Sequence, residues 1–284
     1  MAVIKKICYN INAFDSSELI GPALAEIRGQ IDHVIALWQK KSYWGNPMSE
    51  EDLEELHRLK SIGLVDELVE FKPNFTKYSR EQECDKRNMG IELAKQKGFS
   101  HVISADADEL YDKDQFAYAK EKINKGGWPI TYCSYVNYYR DFEHYLVYPF
   151  RPFVPFVHST FFNYTYNTSA PGPTDPTRRI NNPFNIGTYL FEDEEIRMQH
   201  LAWVRKDIRK KLINWSAKNH FPEDLINKAV KRWENWKEGE DAIMLFNTPE
   251  NSVHVNKLEK RITSIIIPWV EEEMQRWKQK NGYV

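Results

Sequence analysis

The sequence has few cysteines, no long apolar run and no surplus of either charge. Its three cysteines, Cys8, Cys84 and Cys133, fit no metal-binding spacing and cannot all pair, so reduced thiols are the simplest interpretation. No stretch reaches the roughly 20 apolar residues of a membrane span, and no signal-like segment follows the N-terminus. With 39 Lys and Arg against 41 Asp and Glu, the overall balance indicates no polyanionic partner. We therefore expect a cytoplasmic protein without membrane insertion.

Aromatic residues are abundant although the mean hydropathy is low. They make up 14% of the 284 residues, a combination that favours a folded protein with aromatic-lined grooves over a disordered one. The length suits one large α/β domain, or one such domain with an appendage.

The first 125 residues alternate strand-like and helix-like segments. Buried apolar runs predict four strands. Capping boxes at Ser49-Asp52 and Ser79-Gln82, a closing glycine at Gly98 and amphipathic patterns predict helices between and after these strands. This order predicts an α/β fold with a mostly parallel, Rossmann-like sheet flanked by helices. Ligands of such sheets bind beyond the carboxyl ends of the strands. The predicted strands are 4–14, 32–38, 66–72 and 101–108, and the helices are 15–29, 49–61, 79–97 and 113–125.

The character of the chain changes after residue 130. Aromatic strands are predicted at 130–139 and 144–150, followed by a Pro-, Asn- and Thr-rich stretch, 151–188, that suggests an extended active-site loop. Two further apolar segments, 186–191 and 196–204, suggest a hairpin across an acidic turn. The remainder is charged and helical, with Pro268 starting or kinking the last helix. We expect a main domain over 1–204 and a helical C-terminal region, 205–284, that packs on it.

The strongest chemical motif is Asp106-Ala107-Asp108-Glu109, at the end of the fourth strand. Alternation along a strand predicts that Asp106 and Asp108 face the same side, so that both reach one ligand. Paired carboxylates suit Mn²⁺ or Mg²⁺ bound together with phosphate oxygens. The alternative is a solvated turn whose acids cap the next helix.

The segment that contains this motif, REQECDKRNMGIELAKQKGFSHVISADADEL (80–110), resembles GT-A glycosyltransferases of the family 2 type, including bacterial and large-DNA-virus members. The resemblance covers roughly residues 1–205 in element order, but only 80–110 is specific in sequence. It implies a metal-dependent hexosyl- or pentosyltransferase with a nucleotide-sugar donor, in the host cytoplasm if the protein is viral. It also implies that Arg87 and Asn88 approach the donor sugar, that Asp106 contacts the ribose or sugar and that Asp108 binds metal.

A second group of residues follows in 200–211. Family members often supply a late histidine as a further metal ligand, with a basic residue on the diphosphate. His200 resembles that ligand, so the resemblance implies a metal set of Asp106, Asp108 and His200, with Arg205 or Lys211 on the diphosphate. The alternative for His200 is a half-buried strand histidine.

The donor base and ribose are expected near the ends of the first two strands. Asn10 and Asn12 end the first strand, where this fold holds the nucleotide, or they make turn hydrogen bonds. UDP-sugars are the usual donors in the family, whose members often place an acidic residue after the second strand to read the base. Here Gln39, Lys40 and Lys41 occupy that place, which departs from the family pattern.

The general base and the stereochemical outcome stay open at this point. Glu192-Asp193 resembles the acidic pair that carries the base of inverting members, yet its turn position favours a solvated turn. Asp141 and Glu143 are the other candidates.

The acceptor also stays open, between a glycan and a modified base in DNA. Residues 204–237 carry ten Lys or Arg against four acids, with tryptophans interleaved. This stretch predicts either DNA binding or amphipathic helices whose tryptophans pack on the main domain. Two other functions remain as alternatives. One is a nucleotidyltransferase acting on sugar phosphates, although no glycine-rich loop follows the first strand, and the other is a non-catalytic nucleic-acid-binding module.

Overall fold

The computed structural model describes residues 5–168, 173–243 and 252–257, and in these ranges helices flank a large curled sheet. The helices are α1 (Ser17–Ile27), α2 (Glu50–Ser61), α3 (Ser79–Gln96), α4 (Lys113–Gly126), α5 (Ile208–Asn214) and α6 (Glu223–Asn235). The first strands are β1 (Ile7–Ala13), β2 (His33–Trp38), β3 (Glu67–Glu70), β4 (His101–Asp106), β5 (Glu109–Leu110) and β6 (Ile130–Tyr139). The later strands are β7 (His144–Leu146), β8 (Phe153–Ser159), β9 (Tyr164–Thr165), β10 (Arg179–Ile180), β11 (Thr188–Leu190), β12 (Arg197–Trp203), β13 (Ala242–Ile243), β14 (Ser252–Val253) and β15 (Val255–Lys257).

One half of the sheet is parallel and follows the order β3-β2-β1-β4. The residues of β1, β2 and β4 are almost completely buried, because helices cover the sheet. This half confirms the predicted α/β alternation and its parallel sheet. It also brings the carboxyl ends of β1, β2 and β4 to one edge.

The caps of α2 and α3 differ in how well the sequence predicted them. Ser49 accepts a hydrogen bond from the Asp52 backbone N–H at 3.2 Å, as its capping-box pattern predicted. The capping box predicted at Ser79 is wrong, because α3 begins at Ser79 itself and the Ser79 hydroxyl donates to the carbonyl of Ser216. Gly98 ends α3 with a φ of +80°, which only glycine adopts readily. Ser79 thus ties the start of α3 to the C-terminal region.

The predicted loop at 151–188 contains a central strand, so that expectation was wrong for part of its length. Strand β8 lies between β4 and β6 and pairs antiparallel with both. Its sequence includes Pro155, a residue that normally argues against a central strand. The register of β6 and β8 shifts between the pairs at Ile130 and Tyr132, and Pro155 lies beside this irregularity.

The predicted hairpin at 186–204 is also wrong. Strands β11 and β12 both run parallel to β6 and pair with successive parts of it. The turn between them, with Glu195 N–H donating to the Glu192 carbonyl, displaces the chain without reversing it. Phe191, Ile196 and Met198 on either side of the turn join the same hydrophobic core, which favours this extended course.

The C-terminal region shares a hydrophobic cluster with the sheet. Leu212 of α5 and Trp233 of α6 pack with Tyr139, Leu146 and Trp203. The region is less helical than expected, because β15 pairs antiparallel with β7 at the sheet edge. The domain boundary at residue 204 stays a prediction, and the helix predicted at Pro268 lies outside the described residues. No helix in 5–168, 173–243 or 252–257 has both the length and the apolar character needed to cross a bilayer.

Candidate active site

A cleft of about 290 Å³ opens at the carboxyl ends of the parallel strands. Asn12 from β1, Gln39 after β2 and Asp106 from β4 line it, as expected for a sheet of this class. The opposite wall comes from β12, α5 and the residues that follow α5. The cleft thus collects side chains from distant parts of the sequence.

Asp106 lies among basic side chains from two elements. Arg87 of α3 donates to both carboxylate oxygens at 3.0 and 3.1 Å, and Arg178 donates to Oδ2 at 2.7 Å. Asn12 Nδ2 donates to Oδ1 at 3.2 Å. Burial opposes ionisation of Asp106, but Arg87 and Arg178 outweigh it and hold its pKa below the ordinary value. Asp106 is therefore a carboxylate at neutral pH.

Asp108 faces a different set of cations. Arg205 and Lys211 both contact its Oδ2, and His200 Nε2 lies 3.5 Å from Oδ1. Burial again opposes ionisation, and the charges of Lys211, Arg205 and His200 lower the pKa of Asp108 well below its usual range. Burial and the charge of Arg205 lower the pKa of Lys211. Two basic side chains thus contact one carboxylate, and Arg205 also lies 4.0 Å from Glu18 Oε1.

The two motif acids do not alternate along one strand, so the prediction that they face the same side of the strand is wrong. Strand β4 ends at Asp106, and Ala107 and Asp108 form a turn before β5. The Asp108 carbonyl accepts a hydrogen bond from Leu201 N–H at 2.8 Å, which fixes the turn against β12. Both carboxylates still line the cleft, at different places.

A group of three acids surrounds the Asp106 end of the cleft. Glu83, Asp106 and Asp175 each offer an oxygen, and these oxygens lie within 4.8 Å of one another. In the part of the chain that the structure describes, no other group of this kind has three members. Burial raises the pKa of Glu83, and the charges of Asp175 and Asp106 add to the effect. The group is crowded with negative charge and has oxygen ligands suited to a hard divalent cation.

Arg178 is a site residue that the sequence did not reveal. It is 2% exposed, contacts Asp106 and Glu109, and lies 3.2 Å from Asp175. It comes from 173–180, inside the stretch interpreted as a loop. No local spacing links it to the motif 72 positions earlier in the sequence, so only the fold reveals the contact.

Some of the residues expected to bind the nucleotide-sugar donor line the cleft, and others are buried behind its wall. Asn12, Arg205 and Lys211 line the cleft. Arg87 is fully buried and acts on the cleft through Asp106 and Glu83. Asn88 exchanges hydrogen bonds with the backbone of Tyr164 at 2.8 and 2.9 Å, which ties α3 to β9.

Asn10 and the candidates for the general base do not line the cleft. Asn10 is buried where Gly90 of α3 approaches β1. Asp193 accepts hydrogen bonds from Ser134 and Arg151, both at 2.5 Å. Asp141 binds His144 at 2.9 Å, and Glu143 follows the same turn. The structure gives none of the three acids a contact with the cleft.

Comparisons with known proteins find only distant structural similarity. No family model and no curated protein matches the chain. A fragment of S. aureus TarS is 12% identical over 78% of this chain and 69% of its own, with a TM-score of 0.43, and it was also solved with UDP and with UDP-GlcNAc. This chain covers 44% of the longer S. aureus TarS structure. Glucosyl-3-phosphoglycerate synthase from Mycobacterium tuberculosis, in complex with Mn²⁺, UDP and glucosyl-3-phosphoglycerate, is 11% identical over 46% of this chain and 44% of its own, with a TM-score of 0.31.

These neighbours are GT-A-type glycosyltransferases, the class that segment 80–110 resembles. Identities and TM-scores this low carry no weight for the substrate or the reaction. The function proposed below therefore rests on the residues of the cleft.

Proposed function

We propose that the protein transfers a sugar from a nucleotide-sugar donor, with a divalent cation, to an acceptor hydroxyl. The observation that carries the proposal is the division of charge in one cleft. Oxygens of Glu83, Asp106 and Asp175 converge at one end, whereas Arg205 and Lys211 both contact the Asp108 carboxylate at the other. A divalent cation would bind the acid oxygens, and a diphosphate would pair with Arg205 and Lys211.

The diphosphate would bind the side chains that now hold Asp108. Arginine pairs with phosphate oxygens through its planar fork, and lysine adds a point charge. Arg205 is 4% exposed, so it acts where water screens little, and Lys211 is half-buried beside it. Their positive charge would stabilise the nucleoside diphosphate as the bond from its outer oxygen to the anomeric carbon breaks.

The acidic end fits Mn²⁺ or Mg²⁺. Two ligand sets include Asp106: the set implied by the family resemblance, with Asp108 and His200, and the set that converges in this structure, with Glu83 and Asp175. Asp108 and His200 contribute one close pair, at 3.5 Å. A bound divalent cation would supply Lewis-acid neutralisation of the leaving diphosphate.

The acceptor is proposed to be a glycan rather than DNA, because the tryptophans of the basic stretch 204–237 pack against the fold and part of its basic side chains form ion pairs within the chain. Lys206 pairs with Glu51, Arg209 with Glu223, Lys210 with Asp52, Lys228 with Asp224, and Arg232 with Glu240. Its tryptophans pack inside the fold: Trp215 stacks on Phe221, and the indole N–H groups of Trp233 and Trp236 donate to backbone carbonyls. These contacts favour packed helices over a DNA-binding surface. A duplex-DNA titration at low salt, with Lys228, Lys231 and Arg232 changed to Gln, distinguishes the two.

The proposal is tested by a screen of nucleotide-sugars, UDP-sugars first, for release of nucleoside diphosphate with and without Mn²⁺. We expect Mn²⁺-dependent release from at least one donor. A nucleotidyltransferase would release no nucleoside diphosphate and would instead form pyrophosphate when given a nucleoside triphosphate and a sugar phosphate, and a binding module would do neither. Either result would remove the proposal.

The cation set is tested by Mn²⁺ titrations of Asp108→Asn and Asp175→Asn, with Asp114→Asn on the exposed face of α4 as the control. Loss of a ligand should raise the Mn²⁺ concentration for half-maximal activity by about tenfold or more. A higher Mn²⁺ concentration for half-maximal activity in Asp175→Asn would indicate that Glu83, Asp106 and Asp175 bind the cation. The same change in Asp108→Asn would indicate that Asp106, Asp108 and His200 bind it. Unchanged titrations in both variants would contradict a metal at Asp106.

A further inference from the structure

One wall of the cleft carries a buried amide with an unmade hydrogen bond. Asn137 of β6 lines the cleft and is 6% exposed. Its Nδ2 donates to the Tyr148 hydroxyl at 2.7 Å, and its Oδ1 has no hydrogen-bond partner among the described residues. Turning the amide over would pair the oxygen with the hydroxyl and leave the nitrogen unpaired instead. A buried polar atom without a partner is costly, so this side chain is suited to a ligand that completes its hydrogen bonds.

Asn137 lies close to the proposed position of the diphosphate. It pairs in register with His200 of the neighbouring strand β12, and the His200 side chain lies 3.5 Å from Asp108. Asp108 in turn contacts Arg205 and Lys211, the side chains proposed to bind the diphosphate. The bond that breaks in the transfer joins the diphosphate to the donor sugar. A hydroxyl group bound at Asn137 would therefore lie on the side of the cleft where the reaction takes place.

Aromatic rings continue from Asn137 towards the outside of the protein. Tyr148, whose hydroxyl accepts from the amide, is half-buried, and its ring centroid lies 5.6 Å from that of Phe150. Phe150 is 55% exposed although its side chain is wholly apolar. We call Tyr148 and Phe150 the outer aromatic pair. Neither ring lines the cleft, so the pair extends the wall of the cleft beyond its mouth.

These side chains match the chemistry of a neutral glycan. A pyranose ring has an apolar C–H face that packs on an aromatic ring, and its hydroxyl groups both donate and accept hydrogen bonds. Neither the Asn137 amide nor the outer aromatic pair carries a charge at neutral pH, so they offer no counterion to a phosphate or a carboxylate. The donor ends at one sugar, whereas an oligosaccharide acceptor continues past the cleft and would cover the exposed ring of Phe150.

We propose that the acceptor is a neutral oligosaccharide whose reacting sugar hydrogen-bonds to Asn137 and whose next sugar stacks on the outer aromatic pair. This inference rests on the proposed function and specifies its acceptor. In the transfer, an acceptor hydroxyl oxygen forms the new bond to the anomeric carbon, and the bond from that carbon to the diphosphate oxygen breaks. The departing nucleoside diphosphate keeps the electron pair, and the hydroxyl proton is released to water.

The test compares transfer to glucose, galactose, mannose and N-acetylglucosamine with transfer to their short linear oligosaccharides, using the donor identified by the release screen. We expect kcat/KM to rise from the monosaccharide to the trisaccharide for at least one of these sugars. Phe150→Ala should lower the ratio of the trisaccharide kcat/KM to the monosaccharide kcat/KM by about three- to tenfold, because it removes the stacking of the second sugar.

Phe161→Ala is the matched control. Phe161 is also exposed, at 65%, but it follows the end of β8 that pairs with the start of β4, at the sheet edge opposite the cleft. Its ratio of trisaccharide to monosaccharide kcat/KM should equal that of the wild type.

Asn137→Leu tests the inner position. Leucine has a similar size but makes no hydrogen bond, so kcat/KM should fall by about tenfold or more for the monosaccharide and the trisaccharide alike. Transfer should fall by a larger factor than the release of nucleoside diphosphate without acceptor. Loss of folded protein would instead lower both by the same factor.

Three outcomes would overturn the inference. They are equal ratios in Phe150→Ala and Phe161→Ala, a wild type without preference for the longer acceptors, and cleavage of the donor without transfer to any of these sugars. In each case, release of nucleoside diphosphate without acceptor would leave the proposed function standing. A protein that releases nucleoside diphosphate from no donor would remove the proposed function together with the inference.

Discussion

At the scale of single residues, the two acids of the Asp106-Ala107-Asp108 motif have different basic partners although only one residue separates them in the sequence. Asp106 is held by Arg87 and Arg178, whereas Asp108 is held by Arg205 and Lys211. The four basic residues come from three separate parts of the chain. Both acids line the cleft, and the sequence placed them at the end of the fourth strand. It could not indicate their separate partners, because those pairings exist only after the sheet and its crossovers have formed.

Lys86 allows a residue-scale prediction about stability. Burial lowers the pKa of Lys86 to about 7 in the folded protein, from an ordinary value of 10.5. Between these values the unfolded chain binds more protons, so the free energy of unfolding rises with pH across this window. The penalty is full below about pH 7 and disappears above 10.5. We therefore expect ligand-free Lys86→Met to be more stable than the wild type at pH 6.5, by at least about 1 kcal/mol, with the difference shrinking towards pH 10.

Urea unfolding of the two proteins at several pH values measures this effect. Lys95→Met serves as control, since its side chain is exposed and its stability difference should not follow the same curve. A Lys86→Met variant that is less stable than the wild type at pH 6.5 would show that the lysine has a structural partner.

At the scale of elements, α3 is the helix that positions most of the acidic end. It carries Glu83, Lys86 and Arg87, and it approaches β1 and β2 closely at Gly90. A Cβ atom at Gly90 would lie 2.7 Å from Asn10 Nδ2 and 2.8 Å from Leu37 Cδ1. The sequence predicted this helix and its Gly98 end, but not the close approach, because a glycine in mid-helix carries no sign of what it faces.

Gly90→Ala should therefore move α3 or strain its packing. Overpacking costs about 1–3 kcal/mol and alanine returns about 1 kcal/mol to a helix, so we expect a net loss of up to about 2 kcal/mol. Gly29→Ala is the matched control, since a Cβ atom added at Gly29 would meet no atom within 4 Å and its φ is not positive. Equal unfolding free energies for the two variants would contradict tight docking of α3 on the sheet.

The second half of the sheet was the least predictable set of elements. Strand β8 was missed because Pro155 and its polar surroundings favour a loop, and the register irregularity that accommodates it depends on β6. The lengths of β11 and β12 and the turn between them are typical of a hairpin. The two strands nevertheless pair with β6, which lies farther away in the sequence. The local sequence pattern does not indicate whether a strand pairs with a nearby strand or with a distant one, because either partner provides the backbone hydrogen bonds of the strand. The parallel half was predictable because each βαβ unit is local in sequence.

At the scale of the whole molecule, function depends on the line-up of strand ends along one edge. Gln39, Asn12 and Asp106 lie at the ends of the neighbouring strands β2, β1 and β4, and His200 comes from the middle of β12, which is separated from β4 by β8 and β6 along the sheet. The cation is proposed to bind at Asp106 and the diphosphate on the side of β12 and α5. The 173–180 segment completes the acidic end by bringing Asp175 and Arg178 across to Asp106.

The most direct measurement is a crystal structure of the protein with a nucleoside diphosphate and Mn²⁺, with anomalous data collected at the manganese edge. We expect an anomalous peak within bonding distance of an Asp106 carboxylate oxygen. We also expect a diphosphate in hydrogen-bond contact with Arg205 and Lys211, which would have released Asp108. A manganese peak away from Asp106, or a nucleotide bound outside this cleft, would contradict this expectation.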